Sequence, residues 1–130
     1  MAKKKETSLV QIDSLFNDIS ALIEKSKQKA ISLANYAVNM LFWHVGVRIN
    51  TEVLKNERAE YGRQVIVNLA ECLTVKYGRN YEEKNLRRMM QFAEQFPDKK
   101  IVVPVARQLS WSHIVEARER LENRKLLSDT

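Results

Sequence analysis

Leu9, Ile12, Phe16, Ile19 and Ile23 recur at alternating steps of three and four, a spacing that places all five on one seam of an α-helix. The seam is heptad-like. It suits an amphipathic helix packed on its own domain and a dimer arm equally well. Three glycines and two prolines in 130 residues are too few for a loop-rich or all-β chain, so helix is expected almost throughout. Residues 1–8 are polar and expected to be disordered, and Ser8 with Gln11 forms a capping box that would open the first helix.

After the polar patch Ser26 to Lys29, a second helical stretch runs to about Leu54, either continuous with the first or paired with it. It carries two apolar stripes: Ala30, Ala34, Ala37, Leu41 and Val45, and Leu33, Tyr36, Met40, Trp43 and Val47. Such a helix belongs at the centre of a bundle or across a dimer interface. A helix from about Tyr61 to Tyr77 follows, with Val65, Ile66, Leu69, Ala70, Cys72 and Leu73 apolar and Gly78 as its left-handed cap. Asn80 then reads as an N-cap, with Glu83 at the third position of a helix that Pro97 closes by about Phe96. Helix, short glycine-containing turn, helix is the helix-turn-helix pattern. The run Ile101-Val102-Val103-Pro104-Val105 reads as an extended linker rather than a wing, and Ser110 or Ser112 caps a last helix.

The expected fold is therefore mostly all-α, a helical bundle with a long N-terminal helix or helix pair and a helix-turn-helix or winged-helix-like core. A single domain would cover 9–130, with an arm and central helix at 9–56, the helix-turn-helix at 61–96 and the C-terminal helix at 105–126.

A net charge of +6 favours polyanionic partners, and the excess is spread along the chain rather than concentrated in a tail. One cysteine cannot form an internal disulfide, and the N-terminus does not read as a signal peptide, so a cytoplasmic location is expected. Asn39, His44 and Arg48 interrupt the richest apolar stretch, and no membrane span is expected.

The helix from Tyr81 to Phe96 carries the sharpest local feature. Leu86, Met89 or Met90, Ala93 and Phe96 form its apolar stripe, while Lys84, Arg87, Arg88, Gln91 and Gln95 line the other side. Arginine and lysine pair with phosphates or guanine edges and glutamine pairs with adenine, as a recognition helix requires. Lys76 and Arg79 add two cations at its approach. A solvated face has the same residue types, and that plainer reading stands beside the functional one. His44 and His113 have no second ligand at metal spacing, Cys72 reads as a small buried hydrophobe, and Trp43 and Trp111 read as core. No metal, cofactor or catalytic constellation is expected.

Four blocks then carry a resemblance: Leu41-Phe42-Trp43-His44-Val45-Gly46-Val47-Arg48-Ile49, Arg58-Ala59-Glu60-Tyr61-Gly62, Asn85-Leu86-Arg87-Arg88-Met89 with Phe92 and Phe96-Pro97, and Gln108-Leu109-Ser110-Trp111-Ser112-His113. In this order they resemble the N-terminal domain of the YhcG-type bacterial proteins, a domain of unknown function. The resemblance implies a helix-turn-helix-like or winged-helix-like module that in full-length relatives precedes a PD-(D/E)xK nuclease-like domain. That second domain is expected to be absent here, since Pro97-Asp98 is not followed by its acidic-x-lysine on a strand, and Glu82-Glu83-Lys84 precedes it on a helix. After about Glu116 the sequence departs from the family pattern.

The expectation is a non-catalytic nucleic-acid-binding domain, DNA ahead of RNA, contacting its ligand through Lys76, Arg79, Lys84, Arg87, Arg88 and Gln91. It is expected to work as a homodimer and, in a full-length protein, beside a nuclease domain. The alternative is a domain for homodimerisation or protein-partner docking without nucleic-acid contact.

Overall fold

A computed structural model describes the backbone of residues 2–55 and 58–128 and the side-chain surroundings of 9–55 and 58–126. Its helices are α1 (Ala2–Leu54), α2 (Ala59–Tyr77), α3 (Glu83–Gln95), α4 (Lys99–Gln108) and α5 (Trp111–Ser128), with a 3₁₀ turn at Arg79–Tyr81 between α2 and α3. No strand occurs among the described residues, so the all-α class holds, and nothing there supports the winged-helix-like alternative for the core. Two compact units divide the chain, Met1–Ala34 and Asn35–Thr130.

The first two predicted helices are one. The patch Ser26 to Lys29 contains lysines, glutamine and a serine, none of which breaks a helix, and no glycine or proline precedes Gly46. The Ser8 and Gln11 box does not open α1, which already begins at Ala2. The expectation of disorder over 1–8 falls on residues whose side chains lie outside the described set. Within the first unit the whole heptad seam is open: Leu9, Ile12, Phe16, Ile19 and Ile23 are all exposed, as are Leu15, Leu22, Ile31 and Leu33.

The second unit is built on the C-terminal part of α1. Met40 and Trp43 bury with Phe92, Ala93, Val102, Ala106 and Ile114, and Phe42 and Ile49 bury with Ile66, Ala70, Leu86 and Met89. Of the two stripes read on this helix, Tyr36, Met40, Trp43 and Val47 turn inward, whereas Ala30, Ala34, Ala37 and Leu41 stay exposed. Trp111 packs against both clusters, edge-on to Phe42 with centroids 4.9 Å apart and to Phe92 at 5.5 Å. Polar side chains of α1 meet carbonyls at the ends of α3 and α4. Asn39, fully buried, donates through Nδ2 to the Ala106 and Leu109 carbonyls at 3.0 and 2.6 Å, and the Trp43 indole N–H donates to the Phe96 carbonyl at 2.7 Å. Helix ends leave carbonyls without intrahelical partners, and buried they must be satisfied by such groups. At the other end of α1, Arg48 and Lys55 flank Glu52 and hold its carboxyl below the usual range, the Arg48 hydrogen bond being the larger cause.

Four further expectations are corrected. Residues 101–105 form part of α4 rather than an extended linker, with Pro104 inside the helix, and the C-terminal helix begins at Trp111 rather than 105. Asp98 starts α4 by accepting the Lys100 N–H, and Val102 and Ala106, one turn apart, bury completely. Asn80 lies in the 3₁₀ turn, and Glu82 occupies the N-cap of α3 without a side-chain bond. Cys72 is exposed, because the inward face of α2 runs through Gly62, Ile66 and Ala70. Of the two serines, Ser110 caps α5, its hydroxyl accepting the His113 N–H at 3.3 Å.

Gly46 fixes how closely α1 crosses α3. A Cβ there would overlap the Met89 carbonyl and come within 2.9 Å of the Ala93 Cβ. Alanine gains up to about 1 kcal/mol in helix propensity over glycine, but overpacking against backbone costs about 1–3 kcal/mol. The Gly46→Ala variant is expected to be less stable, by about 1–2 kcal/mol in urea-induced unfolding followed by circular dichroism.

Candidate nucleic-acid interface

The candidate interface lies where α2 ends and α3 begins. Thr74 accepts the Gly78 N–H at 2.9 Å to close α2, and Gly78 then takes φ +101° and ψ −169°. This is not the left-handed helical cap anticipated but a region open almost only to glycine. It sends the chain into the turn Arg79–Tyr81. Asn85 fastens that turn: its Nδ2 donates to the Asn80 carbonyl at 2.6 Å while its Oδ1 accepts the Trp111 indole N–H at 2.9 Å. One amide thus joins the turn, the first turn of α3 and the start of α5.

On its inner side α3 buries Leu86, Met89, Phe92 and Ala93. The six candidate residues divide accordingly. Lys76, Arg79, Lys84 and Arg87 are exposed. Lys76 lies over the Tyr77 ring, 5.3 Å from its centroid, and Arg87 pairs with Glu83 one turn earlier at 3.0 Å. Lys76, Arg79 and Lys84 form no ion pair among the described residues. Arg88 and Gln91 are half-buried because α5 covers that flank of α3. Arg88 pairs with Glu119 at 2.9 Å, and the Gln91 carbonyl accepts from Arg118 at 3.3 Å.

Arg79, Lys84 and Arg88 share an open groove of about 450 Å³ that Trp111, Glu82, Glu116 and Glu119 also line. Lys76, Arg87 and Gln91 lie outside it. The sequence reading missed Arg118, which reaches Gln91, Gln95 and Glu122. The signal was available: Trp111, Ile114, Val115 and Arg118 follow the three-and-four spacing of one helix face. Arg118 thus turns toward α3.

The remaining candidates do not join this region. His44 is exposed and lies edge-on to Trp43, His113 is exposed, and no group of three His, Cys, Asp or Glu side chains suited to a metal occurs among the described residues. No helix among them is long and apolar enough to cross a membrane.

The fold defines a small all-α domain, and comparison with family models places it further. The chain belongs to the DUF1016 N-terminal domain family, whose model matches residues 18–126. Comparisons with curated proteins and with solved structures found no match. The match includes all four sequence blocks and continues past Glu116, where a departure was expected; the blocks supply Gly46 at the helix crossing, Asn85 and Trp111 at the turn, and Leu86, Met89 and Phe92 of the buried face of α3.

Nothing lies within 4 Å of the place a Cβ would take at Gly78, so a substitution there is disfavoured by backbone conformation and not by crowding. Gly78→Ala is expected to lower stability by about 1–3 kcal/mol, measured as a shift in the urea midpoint with an unchanged slope.

Proposed function

We propose that this chain is a non-catalytic nucleic-acid-binding domain in which α2, the Gly78 turn and α3 act as a helix-turn-helix. The observation that carries the reading is the set Lys76, Arg79, Lys84 and Arg87, four exposed cations at one helix–turn–helix junction, three of them without an ion-pair partner among the described residues. Burial of Leu86, Met89 and Ala93 fixes the rotation of α3, so that Lys84 and Arg87, three residues apart, share its outer side.

In this reading Lys76, Arg79 and Lys84 contact phosphates. Arg87 reaches a phosphate or a guanine edge by exchanging its exposed partner Glu83, a substitution that sacrifices little because exposed pairs contribute only about 0.2–1 kcal/mol. Arg88 and Gln91 are assigned to holding α5 on α3 rather than to the ligand, given their pairing and partial burial. DNA is favoured over RNA because a helix enters the wide major groove of B-form duplexes, whereas the A-form major groove is too narrow for one. A second reading, an assembly domain, is favoured by the exposed apolar residues of 9–33. The two are compatible, since helix-turn-helix modules commonly act in pairs.

Fluorescence anisotropy with a labelled mixed-sequence duplex across a salt series tests the reading. Binding is expected to weaken steeply with salt, and each phosphate-contacting cation replaced by alanine should reduce the slope of log K against log salt by about 0.9. The Arg79→Ala, Lys84→Ala, Arg87→Ala variant should therefore lose most of the salt dependence, while Arg88→Ala should mainly lower stability. Absence of binding at low salt, or binding indifferent to salt, would remove the proposal.

A further inference from the structure

We infer that residues 9–33 pair with the same segment of a second copy of this chain, side by side and antiparallel. The inference is independent of nucleic-acid binding and rests on apolar exposure and on the distribution of charge within the segment.

Leu9, Ile12, Phe16, Ile19, Ile23, Ser26, Ala30 and Leu33 continue one heptad seam without interruption, and its five residues from Leu9 to Ile23 are all exposed, Phe16 at 68%. Leu15 and Leu22, also exposed, widen the stripe on one side. Surface of this extent and periodicity is covered in water by another helix. Charge selects the direction. From 9 to 22 the charged residues are Asp13 and Asp18; from 23 to 33 they are Lys25, Lys27 and Lys29 with Glu24. A parallel pair would stack acidic half on acidic half and basic half on basic half. An antiparallel pair sets each acidic half against a basic one.

The register that aligns the whole segment is centred on residue 21. In antiparallel pairs the two seam positions of the heptad alternate across the interface, so Leu9 meets Leu33, Ile12 meets Ala30, Phe16 meets Ser26 and Ile19 meets Ile23, each twice by symmetry. Large side chains face small ones at Ile12–Ala30 and Phe16–Ser26, which keeps the helices evenly spaced. In the same register Asp13 flanks Lys27 of the second copy, Leu15 lies along the aliphatic stem of Lys29, and Ser20 and Leu22 each meet their own counterpart. Within one chain Lys27 reaches Glu24 only at 3.9 Å, with both side chains about two-thirds exposed, so it is open to the second carboxylate.

The test uses the full chain carrying Cys72→Ser, stripped of nucleic acid in high salt and then returned to low ionic strength, where exposed charge pairs are little screened. Sedimentation is expected to give a mass about twice 15.2 kDa. A short bis-maleimide should crosslink Ser20→Cys in preference to Ser26→Cys, because residue 20 meets itself only in the antiparallel pair and residue 26 only in a parallel one. Asp13→Lys should weaken association about tenfold, and adding Lys27→Asp should restore it. Ile19→Asp with Ile23→Asp should give a monomer with unchanged helix content, since both sites are exposed. A wild-type chain that remains monomeric into the high-micromolar range, an assembly larger than two, equal or reversed crosslinking preference, or failure of the charge swap to restore pairing would overturn the inference.

Discussion

The crossing of α1 over α3 at Gly46 is the constraint on which the second unit depends. With no side chain at that position the two backbones approach until the Met89 carbonyl and the Ala93 methyl occupy the space. Close approach lets side chains of α1 donate to backbone beyond the contact: the Trp43 indole to the Phe96 carbonyl, and the Asn50 amide to the Met90 carbonyl at 2.9 Å. These bonds add direction to an otherwise non-directional apolar core. Together with the burial of Leu86, Met89 and Ala93 they set the rotation of α3 about its axis, and that rotation decides which of its cations face water.

α5 completes the arrangement from the other side. Trp111 inserts between Phe42 and Phe92, and its indole N–H ends on Asn85, whose amide also holds the Asn80 carbonyl. A single side chain in the first turn of α3 therefore couples the apolar core to the turn that carries Arg79. Covering one flank of α3 has a consequence for charge. Arg88 is drawn into a pair with Glu119, and Arg118 is spread over Gln91, Gln95 and Glu122, so the basic character of the α3–α5 seam is largely neutralised within the domain. Lys76, Arg79 and Lys84, around the turn and on the outer edge of α3, keep no ion pair among the described residues.

The helices and most of the core were legible from spacing alone, since Met40, Trp43, Ile66, Ala70, Leu86, Met89 and Ala93 all lie on stripes with the 3.6-residue period and all are buried. The failures have local causes. The β-branched run Ile101 to Val103 followed by Pro104 favours extended backbone, yet burial of Val102 and Ala106 at i and i+4, with Asn39 completing the helix end, outweighs that preference. Cys72 was misread because apolar residues on α2 outnumber the places on its inner face. It lies two residues beyond Ala70, about 200° around the helix. The site was legible as residue types but not as exposures. Arg87 and Arg88 are neighbours in sequence, and only the position of α5, a long-range fact, leaves the one in water and ties the other to Glu119.

The apolar seam at 9–33 and the cationic turn obey different physics, and this would allow the proposed pairing and the proposed phosphate contacts to cooperate. Apolar pairing depends weakly on salt, whereas phosphate contact weakens steeply with it. Four exposed cations make only a modest electrostatic footprint for a single copy. Two copies joined through an apolar segment would present that footprint twice, and once the first was engaged the second would bind at the effective concentration set by the linkage rather than at the bulk concentration. An antiparallel pair is moreover two-fold symmetric, so its two turns are equivalent by rotation, as are the half-sites of a palindromic duplex. On the proposed reading, a domain with four exposed cations at its turn and a long apolar seam would thus gain affinity for a polyanion by doubling a weak surface instead of enlarging it.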